Sequence, residues 1–435
     1  MDTNTAERLP ARVRVGYSLG SLATGAFGTV PGLLLLPYLT DSLAVPAVAA
    51  GLLVLLPKAW DVFFNPVAGR ISDRTVSRWG PRRPYLLFGG IALAITFAGL
   101  FAGPRSGSPW LDAGYVAVVF LLCATAFAFF QVPYNALPAE LTTSPIERTR
   151  LTAWRIAALA IAILVSGAGA PAVRTAAGYP TMGFAVGLLI LVGVFAVVFG
   201  VAGARQAEPL PSVSNWRETV AAVRACRPFR LMLAAFVIQA VGIGTLLAGV
   251  DYLARIALND KGLQSVLFVA FVGPALLVMP LCQWVAGRYG KRVGYIGASL
   301  VFAVAVAGLL AARTVPVAVV IASAALAGVG YAGLQVFPLA LLPDLISAEE
   351  QRTGQVRAGL FAGVWTAGET LGLALGPALY GLVLAFGGYV STADAVVTQP
   401  PSAVTAVVLG VGLVPAVFVL AGLPLLRRKI WEGLA

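Results

Sequence analysis

The chain has 435 residues, 59% of them hydrophobic and only 11% charged, and its formal net charge is +12. No soluble fold of this length can bury so large an apolar fraction, so the composition excludes a soluble globular protein and indicates a protein of the lipid bilayer. The apolar residues form long continuous runs, whereas the strands of a membrane barrel alternate, and this favours membrane-spanning helices.

The apolar runs predict an all-α membrane protein with twelve transmembrane helices. The expected spans are residues 15–38, 46–69, 85–103, 113–138, 156–173, 181–203, 230–254, 263–287, 294–312, 315–342, 359–386 and 403–426. The polar N-terminal segment lacks a cleavable signal pattern, and we expect it to be retained.

Lysine and arginine concentrate in alternate loops. The segment before span one and the loops after spans two, four, six, eight and twelve carry most of them, whereas the other loops carry few, such as Arg105, Arg174, Lys261 and Arg313. This positive-inside pattern predicts a protein of the cytoplasmic membrane with both termini in the cytoplasm. Because topology explains the net charge, we expect no nucleic-acid partner.

The residues that catalysis in a membrane enzyme would need are scarce. The chain has no histidine and three cysteines, and we find no acidic cluster and no phosphate-binding glycine loop. This pattern disfavours a metal-dependent or nucleophilic enzyme and an ATP-driven pump. We therefore expect no enzymatic activity, no metal and no cofactor other than a coupling ion, H⁺ or Na⁺.

Two segments resemble each other at a constant spacing. QVPYNALPAEL begins at Gln131 and QVFPLALLPDL begins at Gln335, 204 residues later. The longest polar stretch lies between them, and a capping pattern predicts a short helix within it. The chain is thus expected to divide into an N-terminal six-helix bundle (1–202), a cytoplasmic linker (203–229) and a C-terminal six-helix bundle (230–435).

The loop after span two carries a motif. It reads GRISDRTVSRWGPRR from Gly69 to Arg83, two residues after WDVFFNP. With VPYNALPAEL…ERT in the first half and RTG…GLFAGVW in the second, it resembles the glycoside–pentoside–hexuronide:cation symporters of the major facilitator superfamily, typified by melibiose permease. The resemblance covers essentially the whole chain. It implies two pseudo-symmetric six-helix bundles that rock around a central site and move a sugar or glycoside with a cation.

The same loops are expected to form a cytoplasmic gate. Arginine side chains can bind free carbonyls at helix ends or nearby carboxylates, and such pairs would hold the cytoplasmic side closed. Alternatively, the cations only set topology. The expected gate residues are Asp73, Arg74, Arg78, Arg82, Arg83, Glu140, Arg148, Asp344 and Arg352.

Span two contains a lysine and an acid three residues apart, Lys58 and Asp61, which can pair on one helix face. In the resembling symporters this region supplies acids to a cation site. Asp61 matches the first acid, but Asn65 stands where the second is expected. A single acid beside a lysine favours a proton, or transport without coupling, over sodium. The alternative is a purely structural ion pair.

Glu369 lies deep in span eleven with no cation within reach in the sequence. Because an apolar environment penalises a charged carboxylate, we expect Glu369 to exchange protons; the alternative is a packing hydrogen bond. Asp251, near the outer end of span seven, is expected to pair with Arg255. Small residues spaced by four predict close helix packing at Gly368, Gly372 and Gly376.

Other positions match the sugar site that the resemblance implies. Gln131 stands where melibiose permease has an acid, and Thr370 stands where the family often has a lysine. Aromatic rings in the same spans can stack on a sugar. The expected substrate residues are Gln131, Tyr134, Asn135, Arg155, Trp365 and Thr370.

The sequence therefore predicts a monomeric sugar or glycoside symporter whose partners are a small-molecule substrate and membrane lipid. One alternative is a transporter of an amphipathic lipid such as a lysophospholipid, because related symporters share the loop motifs and the pocket lacks acidic sugar ligands. The other alternative is an uncoupled facilitator.

Overall fold

The computed structural model describes residues 9–75, 77–142, 144–203, 223–353, 358–393 and 398–426. These residues form thirteen α-helices and no strand. The predicted linker helix near 216–226 lies for the most part outside the described residues. Of this segment, the structure describes residues 223–226, and 223–225 are helical.

The helices are numbered in chain order. They are α1 (Ala11–Leu19), α2 (Ser21–Ser42), α3 (Ala47–Asp73), α4 (Arg83–Phe101), α5 (Pro109–Leu141), α6 (Pro145–Gly200), α7 (Arg227–Tyr252), α8 (Leu263–Leu277), α9 (Met279–Tyr289), α10 (Lys291–Gly308), α11 (Val317–Thr353), α12 (Ala358–Phe386) and α13 (Pro401–Gly422). Helix α7 continues into a π-helical turn, Leu253–Ala257. Proline occupies one of the first two positions of α4, α5, α6, α7, α9 and α13, where its missing N–H costs no hydrogen bond.

Nine stretches of the described chain are long and apolar enough to cross a membrane, and the bent pair α8–α9 brings the number to ten. Helix α6 would be about 84 Å long if it were straight, nearly three times the thickness of a hydrocarbon core. It breaks at Gly178, whose φ of 82° is accessible chiefly to glycine, and so provides two spans. With the 27-residue α3, these elements account for the twelve predicted spans.

The chain divides into two compact units. The N-terminal unit comprises Met1–Val45 and Leu56–Pro211, and the C-terminal unit comprises Pro46–Leu55 and Ser212–Ala435. In the N-terminal unit, α1 and α2 pack against α6, and α4 packs between α5 and α6. In the C-terminal unit, α7 packs against α12 and α13, and α10 packs between α11 and α13. The order of helix pairs is therefore the same in both units, in line with the internal repeat in the sequence.

Two glycines mark the same turn in each unit. Gly80 precedes α4 with a φ of 86°, and Gly290 precedes α10 with a φ of 87°. Both positions lie in the left-handed region that favours glycine, and both follow an aromatic residue preceded by an arginine. In the C-terminal unit, Gly372 and Gly376 bring α12 against α7, as the small-residue spacing predicts.

Candidate functional site

The lysine and the acid of α3 form the ion pair that their spacing predicts. Lys58 Nζ lies 3.7 Å from Asp61 Oδ2, and Asp61 is buried. The ammonium group also lies 5.4 Å from the centre of the Phe27 ring. Asp61 Oδ1 is buried and has no hydrogen-bond partner in the described part of the chain. The carboxylate therefore faces a fixed positive charge on one side only.

This region offers few ligands to a metal cation. Asn65 is half-buried one turn beyond Asp61 on α3. The residues that the structure describes contain no group of three or more His, Cys, Asp and Glu side chains that could hold a metal ion. Sodium prefers several hard oxygen ligands, as calcium does, and the Lys58 ammonium group opposes its approach to Asp61.

A second polar cluster joins α1, α2, α5 and α6. Arg155 donates to Asn135 Oδ1 at 2.5 Å and to the Tyr17 hydroxyl at 3.4 Å, and its guanidinium lies 4.7 Å from the centre of the Tyr134 ring. The Tyr134 hydroxyl donates to the Tyr17 carbonyl at 2.7 Å and is 3.0 Å from Ser21 Oγ. Two predicted substrate residues, Asn135 and Arg155, are thus brought together, and Asn135 is exposed.

Two aromatic residues predicted to stack on a sugar are not available for it in this structure. Tyr134 is fully buried because its ring lies between Tyr17 and Arg155. Trp365 is also buried, since its ring stacks on Phe236 with the ring centres 4.3 Å apart. In this structure both rings pack against other side chains, and their contact with a substrate stays a prediction. The sequence could not distinguish a buried ring from an accessible one.

Glu369 lies on α12 and has an amide as its neighbour. Gln335 Nε2 of α11 donates to Glu369 Oε1 at 3.3 Å and to the Tyr331 hydroxyl at 3.2 Å. No lysine or arginine of the described residues pairs with Glu369. The half-buried carboxyl group is therefore held by neutral hydrogen-bonding groups and not by a cation. Thr370 and, in the N-terminal unit, Gln131 are half-buried as well.

Several of the predicted gate residues form short ion pairs within one unit. Arg82 Nε lies 2.7 Å from Glu140 Oε1, and Arg82 also donates to Ser72 Oγ at 2.6 Å. In the C-terminal unit, Lys291 Nζ lies 2.6 Å from Asp344 Oδ2. Glu140 and Asp344 are the acids that the repeat places at matching positions.

The remaining gate residues differ in their surroundings. Arg148 Nε donates to the Thr142 carbonyl at 2.8 Å, whereas Arg74 and Arg78 are exposed and Arg83 is half-buried. Arg352 pairs with Glu349 at 2.7 Å, and this carboxylate raises the pKa of Arg352. The Asp73 side chain lies outside the described residues. Whether these residues act as a gate stays a prediction.

Sequence reasoning missed some members of these clusters. Gln335 and Lys291 could have been found from the repeat, because Gln335 matches Gln131 and Lys291 follows the glycine that matches Gly80. Tyr17 has no signal in the sequence that distinguishes it from other aromatic residues of the first span. Asp251 and Arg255 pair at 2.7 Å, as their spacing predicts.

Comparisons with known proteins identify the family of this chain. The family model described as "MFS/sugar transport protein" matches residues 16–430. An uncharacterized symporter of Synechocystis sp., sll1374, is 27% identical over 96% of this chain and 94% of its own length. The glucuronide carrier protein homolog of Escherichia coli is 27% identical over 95% of this chain and 91% of its own length.

A solved structure shares the fold. A mutant of the nucleoside transporter NupG superposes with a TM-score of 0.68 at 12% identity, over 96% of this chain and 99% of that one. At this identity the likeness concerns the fold alone, which is that of the major facilitator superfamily. The chain is an integral membrane protein that belongs to the MFS/sugar transport family, the glycoside–pentoside–hexuronide:cation symporters of the major facilitator superfamily.

Proposed function

We propose that the protein is a secondary active transporter that moves a sugar or glycoside across the cytoplasmic membrane together with a proton, with both termini in the cytoplasm. The family supports a sugar substrate, and so does the relative that is named a glucuronide carrier homolog. The Synechocystis relative is named a symporter, which supports coupling to a second solute. The alternating pattern of cationic loops supports the orientation.

The observation that carries the choice of a proton is the contrast between two membrane-buried acids. Asp61 has the Lys58 ammonium group 3.7 Å away, so its charge is compensated and sodium is repelled. Glu369 has only the Gln335 amide as its partner among the described residues. A carboxyl group without a cation in an apolar span can take up and release a proton without breaking an ion pair. We therefore assign proton exchange to Glu369 and charge compensation to Lys58 and Asp61.

The Arg155 cluster supports the substrate class. An arginine and an amide present several donors and an acceptor, which suits sugar hydroxyl groups. The guanidinium group also suits a carboxylate, because its parallel N–H groups can bind both oxygens. Gln131 supplies a neutral amide where melibiose permease has an acid. An acidic sugar such as a hexuronide would therefore meet a cation and no opposing acid at these positions.

The test is uptake by the purified protein in proteoliposomes. A panel that contains a neutral glycoside, a glucuronide and a lysophospholipid is offered under an inward proton gradient, an inward sodium gradient or no gradient. We expect accumulation of a sugar, with the glucuronide preferred, only under the proton gradient. Accumulation of the lysophospholipid alone would contradict the sugar assignment. Sodium-driven accumulation, or uptake that stops at equal concentrations under every gradient, would contradict proton coupling.

A further inference from the structure

An apolar groove lies within the C-terminal unit among α9, α10 and α11. Its volume is about 270 Å³, and its walls include Cys282 and Tyr289 of α9, Gly297 of α10 and Phe337 of α11. No charged residue lines it, and neither do the residues that we assign to proton exchange and substrate binding. The groove is therefore distinct from the transport machinery proposed above.

The rim of the groove is open and hydrophobic. Leu281 is 50% exposed and Val293 is 52% exposed, and both line the cavity. Side chains of this kind on a membrane-spanning helix contact lipid tails, because water is absent from the hydrocarbon core. The natural occupant of such a groove is a hydrocarbon chain from the surrounding bilayer.

A missing side chain keeps the groove open. A Cβ atom built on Gly297 would meet no heavy atom within 4 Å, although Gly297 lies in the middle of α10. By contrast, Gly294 one turn earlier lies against the Phe337 ring. The space beside Gly297 is therefore an open cavity and not a close contact between helices.

One end of the groove carries the features of a membrane interface. Tyr289 lines the groove and lies against Trp284, with the ring centres 5.8 Å apart, and both side chains are exposed. Tryptophan and tyrosine favour the level of the lipid headgroups. Arg288 is exposed beside Tyr289 and forms no ion pair with the described residues, whereas the next cation, Lys291, is engaged by Asp344.

We propose that this groove holds an acyl chain of one anionic phospholipid whose phosphate group lies against Arg288. The apolar walls fit the chain, and the exposed guanidinium group next to the interfacial aromatic pair fits the negatively charged headgroup. The occupant is a resident membrane lipid that stays in place during transport. The proposal does not depend on which solute the protein carries.

Native mass spectrometry of the purified protein tests the proposal. Phosphatidylglycerol and phosphatidylcholine of equal chain length are titrated into the detergent-solubilised protein, and the first bound lipid is quantified. We expect the wild type to retain phosphatidylglycerol in preference to phosphatidylcholine. Arg288→Gln should weaken phosphatidylglycerol binding about fivefold, the effect of one cation near a headgroup. Gly297→Leu should abolish the retained lipid, because its side chain fills the open space.

Matched controls come from the same chain. Gly114 of α5 is an exposed glycine with nothing within 4 Å, so Gly114→Leu adds the same side chain away from the groove, and Arg313→Gln removes an exposed cation elsewhere. Neither control should change lipid retention, and thermal unfolding should show that Gly297→Leu is folded. Equal binding of both lipids by the wild type would overturn the proposal. A loss of bound lipid in the control variants equal to the loss in Gly297→Leu and Arg288→Gln would overturn it as well. An unfolded Gly297→Leu protein leaves the decision to Arg288→Gln.

Discussion

Each unit carries an ion pair on the matching acid, Glu140 or Asp344, but the two pairs differ in exposure. The Arg82 and Glu140 side chains are each 5% exposed, whereas Lys291 and Asp344 are 36% and 57% exposed. Both pairs are short, and both join the start of one helix to the C-terminal part of the next. The match of Gly80 with Gly290 places Arg292, and not Lys291, at the position of Arg82. The internal repeat thus reproduces the acid but not the cation or the burial of the pair, and burial decides what such a pair contributes to stability.

The membrane-buried acids differ between the units in a similar way. In the N-terminal unit, Asp61 has a lysine partner, but in the C-terminal unit Glu369 has only an amide. An ion pair fixes the charge of a carboxylate, whereas an amide can bond to the charged or the neutral form. A group that must change its charge during transport is therefore better placed in the C-terminal unit.

The largest change in stability is expected from Glu140→Gln. It removes the Glu140 carboxylate from the buried Arg82 guanidinium group, which costs about 3–5 kcal/mol of the free energy of unfolding. Thermal and denaturant unfolding in detergent would measure the loss. A loss no greater than that of Asp344→Asn would contradict the account, because it would mean that burial does not distinguish the two pairs.

A smaller loss is expected from Asp61→Asn. The Lys58 side chain is 27% exposed and therefore less buried than that of Arg82, and we expect a cost of about 1–3 kcal/mol together with reduced uptake. The double variant Lys58→Met, Asp61→Asn removes both charges and should recover most of the uptake. If uptake stays lost in the double variant, Asp61 has a cation-binding role beyond the compensation of Lys58.

A third carboxylate, Glu349, should control the reactivity of a thiol. Burial raises the pKa of the Cys226 thiol just before α7, and the neighbouring Glu349 carboxylate contributes to the increase. Because the thiolate is the reactive form, alkylation of a Cys123→Ala, Cys282→Ala protein should accelerate only above the pH at which a free cysteine reacts. Glu349→Gln should shift the rate profile to lower pH. An unchanged profile would show that Glu349 does not act on the thiol.

The same pKa shift has a consequence for stability. Since the folded protein holds the Cys226 proton more tightly than the unfolded chain does, this contribution is fully present below the pKa of an unfolded cysteine and is lost as pH rises through the folded pKa. Cys226→Ser should therefore weaken the fall in stability on the alkaline side. If the free energy of unfolding fell equally with rising alkaline pH in wild type and variant, this expectation would be contradicted.

The smallest effect is expected from Asp344→Asn. The Lys291–Asp344 pair is solvent-exposed, so its removal should cost about 0–1 kcal/mol and the cost should shrink further in high salt. The comparison with Glu140→Gln under identical conditions isolates the contribution of burial. A cost that is insensitive to salt would show that the pair is shielded from solvent.

The sequence predicted the fold well because apolar length and the internal repeat are properties of the chain itself. The spacing of Lys58 and Asp61, and of Asp251 and Arg255, likewise determined their pairing, since residues three or four apart share a helix face. Contacts between helices that are distant in the sequence were harder to predict. Nothing in the sequence shows that Arg155 reaches Tyr17 on the first span.

Burial was the other property that the sequence left open. The rings of Tyr134 and Trp365, which we expect to contact a substrate, are buried inside their units in this structure. Aromatic residues of a membrane helix look alike in the sequence whether they face a substrate, a lipid or another helix. The amide beside Glu369, by contrast, could have been located by applying the repeat to Gln131.

The most direct test of the account is sugar-induced proton movement in sodium-free proteoliposomes, followed with a pH-sensitive dye enclosed in the vesicles. We predict that a transported sugar acidifies the lumen when wild-type protein is present. Glu369→Gln should abolish that signal while sugar exchange between equal concentrations continues. Sugar uptake by the wild type without proton movement, or an unchanged proton signal in Glu369→Gln, would contradict the central claim that Glu369 couples a proton to sugar transport.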